Sequence, residues 1–173
     1  MSGIGGVGGN YNVSDLTSFE PPQQSGFSKF GSILRKWQAG RPDTLRRPQK
    51  DRRHGPPFLE DLMAQAQQPL DAIRDTRLTN MLTIKSPQRM ALHELWHLFR
   101  DLTLEHPARE VGISKAVLLL TDGRIGPALD STVRSRLSIN RIEDPSAWIA
   151  LLGEVGRDIQ SFEQGWGIAI QEA

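Results

Sequence analysis

The chain has 173 residues, 38% of them hydrophobic, and no cysteine. That length supports one hydrophobic core and is short for two, while the missing thiols exclude disulfides, thiol catalysis and cysteine-bearing zinc sites and fit a reducing compartment. With 21 basic against 20 acidic residues, total charge does not argue for a polyanionic partner, but the distribution does. Arg35, Lys36, Arg41, Arg46, Arg47, Lys50, Arg52 and Arg53 are offset only by Asp43 and Asp51.

Residues 1–26 are rich in Gly, Asn, Ser, Gln and Pro. Such a stretch buries too little apolar surface to offset its ordering entropy unless it docks on something, for instance a protein partner. Its glycines (Gly3, Gly5, Gly6, Gly8, Gly9) are not a dinucleotide loop, because no strand precedes them and no helix follows. The first nine residues carry neither a charged n-region nor a sustained apolar stretch, so no secretory signal is expected. No apolar run approaches the roughly 20 residues that span a bilayer. A cytoplasmic chain without membrane attachment is the expectation.

Residues 27–173 read as one helical domain. Phe27, Phe30, Ile33, Leu34 and Trp37 share one face of a short helix. Gly40, Pro42 and Pro48 break the chain into a basic loop over 40–57, closed by Gly55-Pro56-Pro57. A second helix starts near Phe58 and runs through Leu59, Leu62, Met63 and Ala66, with Pro69 expected to end or kink it. A third is expected over about 70–82. Ser86-Pro87 supplies a cap and a first-turn proline for a helix reaching about Leu104, with Ala91, Leu95, Leu98, Phe99 and Leu102 on its apolar stripe. After a link over 108–113, Ser114–Leu120 is apolar on all sides and should be buried. Asp122-Gly123 and Gly126-Pro127 mark turns, Asp130 caps a helix to Leu137, and Asp144-Pro145 opens the last one. That helix presents Trp148, Leu151, Leu152, Val155, Ile159 and Phe162, and an irregular tail from Gly165 follows. No alternating pattern marks a strand. The class is all-α.

Two segments carry candidate chemistry. His93-Glu94-Leu95-Trp96-His97 spells H-E-x-x-H, in which two histidines one helical turn apart hold zinc and the glutamate activates water. A zinc hydrolase on His93, Glu94 and His97 is therefore an alternative. Against it, both histidines fall opposite the apolar stripe with Arg100 and Asp101, the pattern of a solvated face, and no third ligand follows at the spacing zinc peptidases use.

The second segment is Val111-Gly112-Ile113-Ser114-Lys115-Ala116-Val117 followed by Gly126-Pro127-Ala128-Leu129-Asp130-Ser131. It resembles the active-site region of the helix-hairpin-helix DNA glycosylases, the 8-oxoguanine glycosylase-like branch in particular, over about 25 residues. There, a glycine hairpin offers backbone N–H groups to a DNA phosphate, a lysine opens the second helix, and an aspartate begins the next one.

The resemblance implies a compact helical domain with a helix-hairpin-helix-like element that acts in DNA repair. It implies a base-excision glycosylase and lyase with Lys115 as nucleophile and Asp130 as partner, needing no cofactor. Gly112 and Ser114 would contact DNA from the hairpin. From the basic loop, Arg46, Arg47, Lys50, Arg52 and Arg53 could add phosphate contacts, which fix position and not sequence. Two departures stand out: a single glycine where the family has two bracketing one residue, and a shorter lysine-to-aspartate spacing. The bland alternative is a non-catalytic DNA-binding or protein-interaction module.

Overall fold

A computed structural model describes residues 24–37, 39, 44–51 and 54–166. The expectations for residues 1–23, for Arg41, Arg52 and Arg53, and for the tail after Trp166 lie outside the described residues. Among these residues six α-helices follow in chain order: α1 (Gln24–Lys36), α2 (Leu59–Ala72), α3 (Ser86–Phe99), α4 (Glu110–Leu120), α5 (Ser131–Arg136) and α6 (Pro145–Trp166). Two 3-10 turns, Leu78–Thr83 and Arg100–Leu102, lie before and after α3. Among the described residues there is no strand, only an isolated bridge between Leu45 and Thr103. The expected all-α class is what the chain adopts. No helix among these residues is long and apolar enough to cross a membrane.

Local chemistry explains most helix starts. The Asp61 carboxylate accepts the Phe58 N–H at 2.7 Å, and Gln88 Oε1 accepts the Lys85 N–H at 3.2 Å. Both are third-position side chains turning back on the residue before the helix. Asp130 and Asp144 cap their helices as the sequence predicts, accepting from the Val133 and Ala147 amides at 2.9 Å each. Lys85, rather than Ser86, precedes α3. The Asp122-Gly123 turn forms too: Gly123 takes φ +77° and donates its N–H to Leu118 O at 2.8 Å.

Three expectations fail for identifiable reasons. Pro69 does not end α2, which runs on to Ala72. The proline sits in the last turns of the helix, buried on the face it shares with Leu59, Leu62, Met63 and Ala66, and that burial outweighs the lost hydrogen bond. No helix spans 70–82. Instead the chain turns at Ile73–Asp75 and enters the first 3-10 turn, where the Leu78 N–H bonds Arg124 O at 2.8 Å. Lastly, Phe162 shares the spacing of the buried Trp148 and Leu152 yet is 49% exposed, because α6 outlasts the body it packs against.

The core assembles around α3 and α4. α2 packs on α3, α1 lies across α2 and α4, and α6 closes the other side against α3 and the Leu78–Thr83 turn. Trp96 of α3 meets Trp148 of α6 with ring centroids 5.5 Å apart and planes tilted by 38°, a favourable offset for aromatic pairs. On α6, Gly156 receives the Leu78 carbonyl so closely that a Cβ there would overlap the oxygen. Gly156→Ala should therefore destabilise the fold by about 1–3 kcal/mol through overpacking, read as a lower urea midpoint. Gly165→Ala, where an added Cβ meets nothing within 4 Å, should not.

Candidate functional site

The segment carrying the glycosylase resemblance folds into α4 and the loop that leads to α5. Residues 111–114, read as a hairpin from sequence, are the first turns of α4, whose N-cap is Arg109. One interior glycine is compatible with a helix when tertiary packing demands it. Here it does: a Cβ on Gly112 would lie 2.5 Å from Ala39 O, so the glycine lets the chain beyond α1 cross α4 at close range. Gly112 is thus buried in an interior crossing and not open to a DNA phosphate. Ser114 is buried too. Its hydroxyl donates to Val111 O at 3.2 Å and accepts the Leu129 N–H at 3.0 Å, pinning the loop before Asp130 onto α4. Neither residue makes the external contact expected of it.

Asp130 lies near enough to Lys115 for its charge to be felt, but the two form neither an ion pair nor a hydrogen bond. Lys115 is 9% exposed on α4, and its Nζ donates to the carbonyl of Trp37, just past the end of α1. Burial lowers its pKa from the ordinary 10.5, while the negative charge of Asp130 opposes that fall. Asp130 is held in place by its own cap bond to Val133 N. The arrangement is a desolvated amine, bonded to a backbone carbonyl, within electrostatic reach of a carboxylate that caps the next helix. Nearby, Glu110 in the first turn of α4 is 2% exposed and pairs with Arg134 of α5 at 3.3 Å. This buried pair was not foreseen, although an acidic residue opening an otherwise apolar helix was the available signal. Nothing in the sequence marked Arg134 as the partner of Glu110 or the Trp37 carbonyl as that of Lys115.

The basic loop is largely occupied by its own fold. Arg46 donates from Nε to Asp101 O and from Nη1 to Pro57 O, the latter at 2.9 Å. Arg47 pairs with Asp51 at 3.0 Å. The Arg46 guanidinium therefore ties the loop to the turn after α3, and that of Arg47 is taken up by an acid of the loop itself, which corrects their assignment as phosphate contacts. Lys50 is exposed.

In the H-E-x-x-H segment, Glu94 and His97 are exposed and His93 is half-buried. Among the described residues no three His, Cys, Asp or Glu side chains are grouped closely enough to hold a metal ion. The zinc reading finds no third ligand there.

Comparison of the chain with protein-family models, curated proteins and solved structures finds no match.

Two measurements probe this site. Ser114→Ala strands the buried Leu129 N–H, so the unfolding free energy should fall by about 1–3 kcal/mol. The Lys115 shift also has a pH signature. Between its lowered pKa and the unfolded value, the folded chain binds fewer protons than the unfolded one, so stability rises with pH across that window. The difference in urea midpoint between the native chain and Lys115→Met should grow in favour of the native chain as pH climbs to 10.5.

Proposed function

We propose that this chain acts on DNA as a base-excision glycosylase with lyase activity, Lys115 being the nucleophile and Asp130 its carboxylate partner. The observation that carries the reading is the desolvated Lys115 amine within electrostatic reach of the carboxylate that caps the next helix. This lysine-helix, proline-loop, aspartate-cap order is what the glycosylase resemblance implies for these residues.

The chemistry follows from the pair. Desolvation favours the neutral amine, whose lone pair attacks C1′ of the target deoxyribose. The C1′–N bond breaks, and the base leaves with its electron pair and takes up a proton. Asp130 stabilises positive charge developing on the sugar. Loss of a proton from the new ammonium and opening of the C1′–O4′ bond give a protonated imine, with O4′ taking the proton. A neutral amine keeps an N–H for the Trp37 carbonyl while it offers its lone pair, so that bond and the attack are compatible. The target nucleotide has to leave the stack to reach the amine. Phosphate contacts in this reading fall to Lys50, Arg52 and Arg53, since Arg46 and Arg47 are bound internally. A cysteine-free chain of this kind fits the reducing cytoplasm.

The Trp37 bond itself favours a second reading, in which Lys115 only fastens α1 and the chain is a DNA-binding module without chemistry. Borohydride trapping on duplexes carrying an abasic site or 8-oxoguanine separates the two. Base excision predicts a covalent adduct that is absent in Lys115→Gln, which retains a donor for Trp37 O. It also predicts at least about 100-fold slower trapping in Asp130→Asn, which retains a helix cap. A native chain that binds DNA but gives no adduct, or a Lys115→Gln variant that still traps, would overturn it.

A further inference from the structure

The chemistry proposed for Lys115 needs an open path to its amine, and the folded chain keeps that path closed. Lys115 is buried, and its Nζ donates to Trp37 O. Two segments outside α4 act on this amine. The chain just past α1 does so through the Trp37 carbonyl, and the start of α5 through the charge of its cap, Asp130. For a sugar carbon to reach the nitrogen, one of these flanks has to move aside.

The two flanks are held very differently. α1 buries Phe30 and Leu34 and packs on both α2 and α4, so shifting it would open the core. No residue from 131 to 141 is buried, and α5 has no comparable packing on any helix. Ile139 rests half-buried on the core, while Leu137 is exposed. The segment's backbone bonds are internal: Leu137 N–H to Val133 O at 3.0 Å and Ile139 N–H to Arg134 O at 2.9 Å. Its two ends are anchored, at Leu129 by burial and the bond to Ser114, and at Ile142 by burial. A segment with few buried apolar contacts, strung between two fixed points, is the kind that opens locally at low cost. One ion pair opposes that opening. Arg134 Nη1 meets Glu110, in the first turn of α4, at 3.3 Å. The closure is imperfect, because Arg134 Nε is buried with no hydrogen-bond partner, and hydration on opening removes that cost.

We propose that residues 131–141 form a gate over Lys115, latched by the Glu110–Arg134 pair, and that the gate swings between its anchors at Leu129 and Ile142 to admit the nucleotide. Asp130 adjoins the Leu129 anchor, so it stays near the amine while the rest of the segment moves. What enters is taken from the base-excision reading, on which that part of the inference rests; the gate and its latch can be measured without it.

Pulsed acetylation of the full chain with acetic anhydride tests it, with each lysine quantified by mass spectrometry and the exposed Lys85 as internal standard. Arg134→Ala and Glu110→Gln should each raise the Lys115 rate, relative to Lys85, by at least about tenfold. Arg134→Lys, which keeps the charge of the latch, should stay near the native rate. Gly156→Ala, which loosens α6 on the Leu78–Thr83 turn, should leave it unchanged. A Lys115 rate that ignores both latch variants would overturn the gate. So would a rate raised equally by Gly156→Ala, since Lys115 would then be reached by global unfolding, or one raised by Leu34→Ala alone, which would make α1 the moving flank. Borohydride trapping on DNA separates the two proposals. Labelling that follows the latch with no adduct in any variant keeps the gate and rejects base excision, and an adduct with labelling blind to the latch does the reverse.

Discussion

α4 lies in the interior with polar groups it cannot leave unsatisfied. Glu110, Ser114 and Lys115 on this helix and Thr121 at its C-cap are all buried, and each is satisfied by a different segment of the chain. Glu110 reaches Arg134 on α5, Ser114 the amide of Leu129, and Lys115 the carbonyl beyond α1. Thr121 turns its hydroxyl back to Val117 O at 2.8 Å and accepts the Ile125 amide at 3.2 Å. Buried polar atoms are destabilising when unpaired, so these bonds fix where α1, α5 and the loop between α4 and α5 sit. Apolar packing makes the interior stable, and these four residues make it specific. The amine and carboxylate of the candidate site are products of the same requirement.

That dual origin explains why the site invites two readings. A lysine buried to fasten a neighbouring helix and a lysine buried to lower its proton affinity share the same surroundings. What separates them chemically is the carboxylate: a fastening lysine needs only the Trp37 carbonyl, whereas the proposed chemistry also draws on the charge of Asp130. In the proposed reaction the capping bond from Val133 would hold that carboxylate in place.

The sequence was most informative where structure is decided locally. Asp130 and Asp144 as caps, the turn at Gly123, the burial of α4 and the helical class were all readable from residue type and spacing, because the deciding interactions lie within a few residues. It was least informative where distant segments decide. The helix expected over 70–82 gives way to a 3-10 turn bound to Arg124 and seated on Gly156, partners 46 and 78 residues away from Leu78. The hairpin expected at Gly112 became helix because Ala39 needed the space. The charge of the basic loop was plain, yet only folding shows Arg46 and Arg47 turned inward. Within the candidate site, the cap role of Asp130 was legible, while the Trp37 carbonyl that Lys115 bonds and the Glu110–Arg134 bridge had no local signature.

The stacked indoles of Trp96 and Trp148 make a built-in optical gauge. Chromophores held 5.5 Å apart at a fixed tilt couple their transitions, giving an asymmetric near-ultraviolet band that vanishes when side-chain packing loosens even if helices persist. Because one indole belongs to α3 and the other to α6, that band follows the seam between these two helices, apart from their helicity.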